Sequence, residues 1–125
     1  MSCLTAQQVL TQVDDLLPNA YETDCKRRWL TQAEGFVVRE ILNAHDGGES
    51  IAVPEMLHDN DEMRVPAPYD ELYRYYVEAQ IHYANGEMAR YNNASTAWNN
   101  AFLTYRDFYA RTHMPLHAAS ALKLR

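Results

Sequence analysis

From Tyr69 to His113 apolar and aromatic residues recur at three- and four-residue intervals with almost no loss of phase, and this run constrains the fold more than any other feature of the chain. Leu72, Tyr73, Tyr76, Ala79, Gln80 and Tyr83 make the first part of the stripe. Met88, Tyr91, Ala94, Trp98, Ala101, Phe102, Tyr105, Phe108 and Tyr109 make the second. One unbroken helix over the whole run would be about 65 Å long at ~1.5 Å per residue, more than a domain of this size can cover. A break is therefore expected at Asn85-Gly86, where glycine disfavours helix and both residues tolerate a left-handed cap. Pro66-Ala-Pro68 sets an extended lead into the first of the two helices, predicted over 69–85, with the second over 87–113.

The amino-terminal third repeats the pattern on a smaller scale. Thr5-Ala-Gln-Gln8 matches a capping box, and Ala6, Val9, Leu10, Val13, Leu16 and Leu17 form an apolar stripe that stops at Pro18-Asn19. A second helix follows, with Cys25, Trp29, Ala33, Phe36, Val37 and Ile41 expected on its buried face and His45-Asp-Gly-Gly48 ending it. Helices over 5–17 and 21–44 should pack as a hairpin. Lys26, Arg27 and Arg28 fall in the first turns of the second helix, where cations oppose its dipole, so this triplet is either solvated or offset by an acidic partner.

Between the two pairs of helices, 46–68 has no helical period and carries glycine, proline and a run of acids: Asp46, Glu49, Glu55, Asp59, Asp61 and Glu62. A connection of this length is read as a long loop and is the best candidate in the chain for a segment that orders on assembly. Two short extended pieces, at 51–53 and 63–65, are the most structure it would hold by itself. The tail 114–125 restarts after Pro115 with Leu116, Leu122 and Leu124, and holds basic residues without an acid. Too short to be a stable helix alone, it is expected to fray or to dock on a neighbour.

At 125 residues, with 47% apolar side chains, the chain suits one helical domain: an all-α bundle of about four helices with a long acidic central loop and a short tail. No apolar run approaches the ~20 residues of a membrane span, and the first residues lack the basic start and apolar stretch of a secretory signal, so no membrane role is expected. Cys3 and Cys25 are expected as free thiols. A formal charge of −6 disfavours binding to nucleic acid through neutralised phosphates.

Glu78 and His82 stand four apart as metal ligands can, but no second such pair or zinc-spaced cysteines accompany them, and a surface hydrogen-bonded pair is expected. Asp59-Asn-Asp61 resembles the start of a calcium loop, yet Arg64 occupies the position where that turn requires glycine. With no phosphate loop and no nucleophile beside a base, neither a catalytic residue nor a cofactor is expected. Eight of the nine tyrosines lie in the last helices; Tyr69 and Tyr75 fall off the stripe and are candidates for a protein interface, together with Lys26, Arg27, Arg28, Asp59, Asp61, Glu62, Leu116, Leu122 and Leu124.

Pro66-Ala-Pro-Tyr-Asp-Glu-Leu-Tyr73, Glu78-Ala-Gln-Ile-His-Tyr-Ala-Asn-Gly-Glu87 and Arg90-Tyr-Asn-Asn93 resemble small proteins from the structural cassettes of tailed phages and prophages, over roughly 66–115. Among these the chain is most similar to head-tail connectors. The resemblance implies a non-catalytic helical protomer that forms a homo-oligomeric ring, contacts portal and tail or head-completion proteins, and passes from the cytoplasm into the virion. The Tyr-rich final helices and the acidic loop depart from the usual connector pattern. A small cytosolic adaptor or regulator that holds another protein in a helical groove is the alternative.

Overall fold

A computed structural model describes residues 3–44, 51–52 and 54–113. Four helices form a compact bundle: α1 (Ala6–Leu16), α2 (Thr23–Glu40), α3 (Glu71–Ala84) and α4 (Met88–Thr112), with a short 3-10 turn at Leu42–Ala44 after α2. Helix α3 lies at the centre, packing against α1, α2 and α4. None of the described helices is long and apolar enough to cross a membrane.

The capping box at Thr5 is present in both directions: Gln8 N donates to Thr5 Oγ1 at 3.2 Å, and Thr5 N donates to Gln8 Oε1 at 2.9 Å. The next two orphan amides of α1 are taken by the central segment, since Ala6 N donates to Asp61 O at 2.9 Å and Gln7 N to Asp59 O at 3.0 Å. Asp59, Asp61 and Glu62 thus gather at the positive end of the α1 dipole, which gives this acidity a local cause. Thr5 and Glu62 form an isolated antiparallel bridge, extended by Met63 N donating to Leu4 O at 2.8 Å.

Over 54–68 the segment expected as the best candidate to order on assembly is docked on the bundle of the single chain. Leu57, Met63 and Val65 enter the core with Val9, Leu10, Val13, Leu30, Val37, Val38, Leu72, Tyr73, Val77 and Ile81. Buried Thr31 accepts from Leu57 N at 3.1 Å, pinning the segment to α2. Residues 45–50, 53 and the tail 114–125, with Leu116, Leu122 and Leu124, lie outside the described residues.

The buried face of α2 is also corrected. It consists of Lys26, Leu30, Thr31, Ala33, Glu34, Val37 and Val38, with Ile41 just beyond, so the helix is turned by about one residue from the expected stripe. Cys25 and Trp29 are left half-buried and Phe36 is 47% exposed. The reason is tertiary: Leu30 and Val38 belong to the same core cluster as Leu57, Met63 and Val65. Leu16, expected on the α1 stripe, is 63% exposed, because α1 ends there before another layer covers it. In α3, Val77 and Ile81 are buried, whereas Tyr76 is half-buried and Tyr83 exposed.

The break at Asn85-Gly86 is as expected. Gly86 has φ +77°, Gly86 N donates to Tyr83 O at 3.0 Å and Glu87 N to His82 O at 2.9 Å, the paired bonds of a Schellman motif. A Cβ at Gly86 would meet nothing within 4 Å, so its role is conformational. Gly86→Ala is expected to lower stability by about 1 kcal/mol, the cost of a left-handed L-residue, and Gly86→Asn by less; chemical denaturation would measure both. The Glu87 carboxylate closes the turn, bonding His82 Nδ1 at 2.9 Å, Asn85 Nδ2 at 3.1 Å and Arg90 at 3.2 Å. The hydrogen bond from His82 is the main reason its pKa lies below the usual carboxylate range.

Candidate interaction surface

Helix α4 runs along α3 and has little contact with the rest of the bundle, so its stripe is only partly covered. Of its apolar side chains only Tyr105 and Tyr109 are buried. Trp98 and Phe102 are half-buried and face the junction with α2 and α3, where Phe36 of α2 and Tyr76 of α3 meet Trp98. Ring centroids are 5.0 Å apart for Tyr76–Trp98, 5.2 Å for Trp98–Phe102, 6.1 Å for Phe36–Tyr76 and 6.4 Å for Phe36–Trp98. Tyr76 OH donates to Gln32 Oε1 at 3.0 Å, which orients its ring along the wall between the helices. The four rings form the walls of two neighbouring grooves, of about 450 and 270 Å³, that share Phe36 and Glu40. Gln32, Arg39 and Asn99 complete the rim.

Elsewhere along the α3–α4 pair another cleft, of about 340 Å³, is lined by Pro68, Tyr69, Glu71, Tyr75, Asn100 and Thr104, among others. Here the structure brings together the two tyrosines singled out from sequence. Tyr69 stacks on Phe108 at 4.7 Å and meets Tyr105 at 5.5 Å, while Tyr75 OH donates to Glu71 Oε2 at 3.1 Å beneath the Arg74 guanidinium.

The basic triplet is divided. Lys26 is 4% exposed and its Nζ meets Asp14 Oδ1 at 2.6 Å, which removes it from the accessible surface. Arg27 bonds Asp24 at 2.6 Å and also pairs with Asp59, tying α2 to the central segment; the bond to Asp59 is the first cause of its raised pKa. Of the three, Arg28 alone is exposed with no ion pair among the described residues. The acidic partner open at the level of sequence is therefore within the same chain. Asp61 accepts from His58 N at 2.8 Å, the chief cause of its lowered pKa, and Glu62 stays exposed beside the Thr5 bridge.

Glu78 and His82 do not pair with each other. Glu78 bonds Arg74 at 3.1 Å and His82 bonds Glu87, so the adjacent turn took the histidine. Among the described residues no group of three or more histidine, cysteine or acidic side chains could hold a metal ion. Cys3 and Cys25 are free thiols.

One buried polar network escaped the sequence reading. Glu34, 2% exposed, accepts from Tyr73 OH at 2.5 Å and from Arg64 N at 2.8 Å; Tyr73 OH in turn accepts from Val65 N at 3.0 Å. Burial raises the carboxyl pKa, and burial followed by the neighbouring Glu34 raises that of Tyr73 well above a free phenol. The network locks the central segment between α2 and α3. Glu34 also lines a cavity of about 540 Å³ with Cys3, Leu57, Glu62 and Arg64. Phe36, Gln32, Arg39 and Glu40 were missed as surface residues as well. The available signal was that Leu30, Ala33, Val37, Val38 and Ile41 already complete a stripe without Phe36. No protein-family model, curated protein or solved structure matches the chain.

Proposed function

We propose that this chain is a non-catalytic assembly protein that works by binding other protein chains, in its most specific form a head-tail connector of tailed phages that self-associates and bridges portal to tail. The observation that carries the reading is the aromatic face of Phe36, Tyr76, Trp98 and Phe102, left partly open between α2 and α4. Aromatic residues with one wet edge are the side chains enriched where proteins meet. Among the described residues the buried acidic and basic side chains, Lys26 and Glu34, are each committed to structural partners, consistent with a scaffold that presents a surface. The connector assignment comes from the resemblance over 66–115.

The concave shape of the α2–α4 face supports a second reading, an adaptor that takes one helix of another protein into its groove. Sedimentation velocity and electron microscopy of the purified chain, alone and mixed with portal and tail proteins, separate the two. Self-association together with capture by portal is the expected result. A monomer that never associates with portal or tail components would overturn the connector reading.

A further inference from the structure

We infer that the aromatic face between α2 and α4 is the contact by which two copies of this chain pair about a two-fold axis. The inference rests on the assembly reading above and names its first contact. Its centre is Phe36, 47% exposed on a helix whose neighbouring apolar residues Val37 and Val38 are fully buried. Tyr76, Trp98 and Phe102 extend that centre across to α4.

The charges at the rim select the occupant. Arg39 and Glu40 are consecutive on α2, both exposed, both line the groove, and neither has an ion pair among the described residues. A cation beside an anion, neither paired among the described residues, at the edge of an apolar centre is complementary to its own copy. A two-fold axis near Phe36 sets Arg39 against Glu40 of the second copy, and by symmetry does so twice. An acidic or a basic peptide would satisfy one of the two charges and oppose the other. An anionic membrane surface would likewise be repelled by Glu40.

Area sets the strength. Of four aromatic side chains of ~200 Å² each, Phe36 is about half open and Tyr76, Trp98 and Phe102 are mostly covered, so together they contribute roughly 150–300 Å² per copy and 300–600 Å² per pair. Gln32, Arg39, Glu40 and Asn99 at the rim add to this, leaving the contact at or below the ~1,200 Å² at which specific interfaces begin. The pair is accordingly weak and concentration-dependent. An isologous contact closes at two copies, so the contacts of a larger ring fall to other surfaces, such as the Tyr69–Tyr75 cleft.

Sedimentation equilibrium of the full chain, with circular dichroism to verify folding, tests the pairing. The wild type is expected to dimerise; Phe36→Asp should abolish pairing, and Arg39→Glu or Glu40→Arg should each weaken it at least about tenfold through like-charge contacts. The doubly reversed chain, Arg39→Glu with Glu40→Arg, should recover the wild-type constant. Self-association indifferent to Phe36→Asp, or not recovered in the double reversal, overturns the inference while the assembly reading stands. So does a wild-type monomer that still binds portal. Loss of pairing in Leu122→Asp/Leu124→Asp alongside unaffected Arg39 and Glu40 variants would assign the groove to 114–125 and also overturn it. A monomer that binds no portal or tail protein overturns both.

Discussion

Glu34→Ala is expected to lower the unfolding free energy by about 3–4 kcal/mol, read from urea denaturation. The substitution strands the buried donor Tyr73 OH and the part-buried amide of Arg64, and a buried donor costs roughly 1–3 kcal/mol when it loses its acceptor without gaining water. Tyr73→Phe strands Glu34 and Val65 N instead, and should cost a similar amount. Because the two changes break one network, the double variant should lose clearly less than the two single losses added together. Additive losses would show that Glu34 and Tyr73 act independently.

The same carboxyl gives stability a pH dependence of definite sign. Burial raises the pKa of Glu34 in the folded state above its ordinary value of 4.5. In the window between those two values the folded protein holds a proton that the unfolded chain releases. Its contribution is therefore complete below pH 4.5 and declines as pH rises through the folded pKa. Glu34→Gln cannot titrate, so its stability relative to the wild type should improve as pH climbs from 4.5 toward neutrality. Denaturation midpoints at a series of pH values measure the difference. A constant gap between the two proteins would refute the assignment.

Met63→Ala should destabilise the fold by about 2–4 kcal/mol, the range for truncating a buried methionine in a core that relaxes only partly. Met63 is 1% exposed and belongs to the same cluster as Leu30, Val38 and Leu72. Glu62→Ala, one residue away and exposed, should stay within about 0.5 kcal/mol. A loss of that small size at Met63 too would mean that the segment lies loosely on the surface. The contrast measures how far the central connection is a structural element of the bundle.

Local rules carried much of the fold. The Thr5 capping box, the proline stop after Leu17 and the Asn85-Gly86 break depend on residues within a turn of one another, and each stands where sequence put it. The four helices follow from periodicities that need no partner to be seen. The face that each helix buries was less legible. On α2, Trp29 with Phe36 and Leu30 with Val38 mark two overlapping stripes, and the helix itself does not choose between them. The segment 54–65 chose, by adding Leu57, Met63 and Val65 to the core cluster that holds Leu30 and Val38.

For the surface the division is similar. Tyr69 and Tyr75 fall off the helical stripe, and that irregularity was visible in the chain. The pairing of Lys26 with Asp14 and of Arg27 with Asp59 was not, because it joins positions 12 and 32 residues apart. Sequence alone determined the four described helices, the Thr5 and Gly86 caps and most limits to within about two residues, since these rest on local hydrogen bonds and backbone preferences. The exception is α2, expected to run to 44, which ends at Glu40 and passes into the 3-10 turn Leu42–Ala44. Tertiary structure decided which charges were neutralised, which loop became core and which aromatic rings stayed uncovered. Those outcomes depend on what packs against each helix, and the period of one helix does not encode its neighbour.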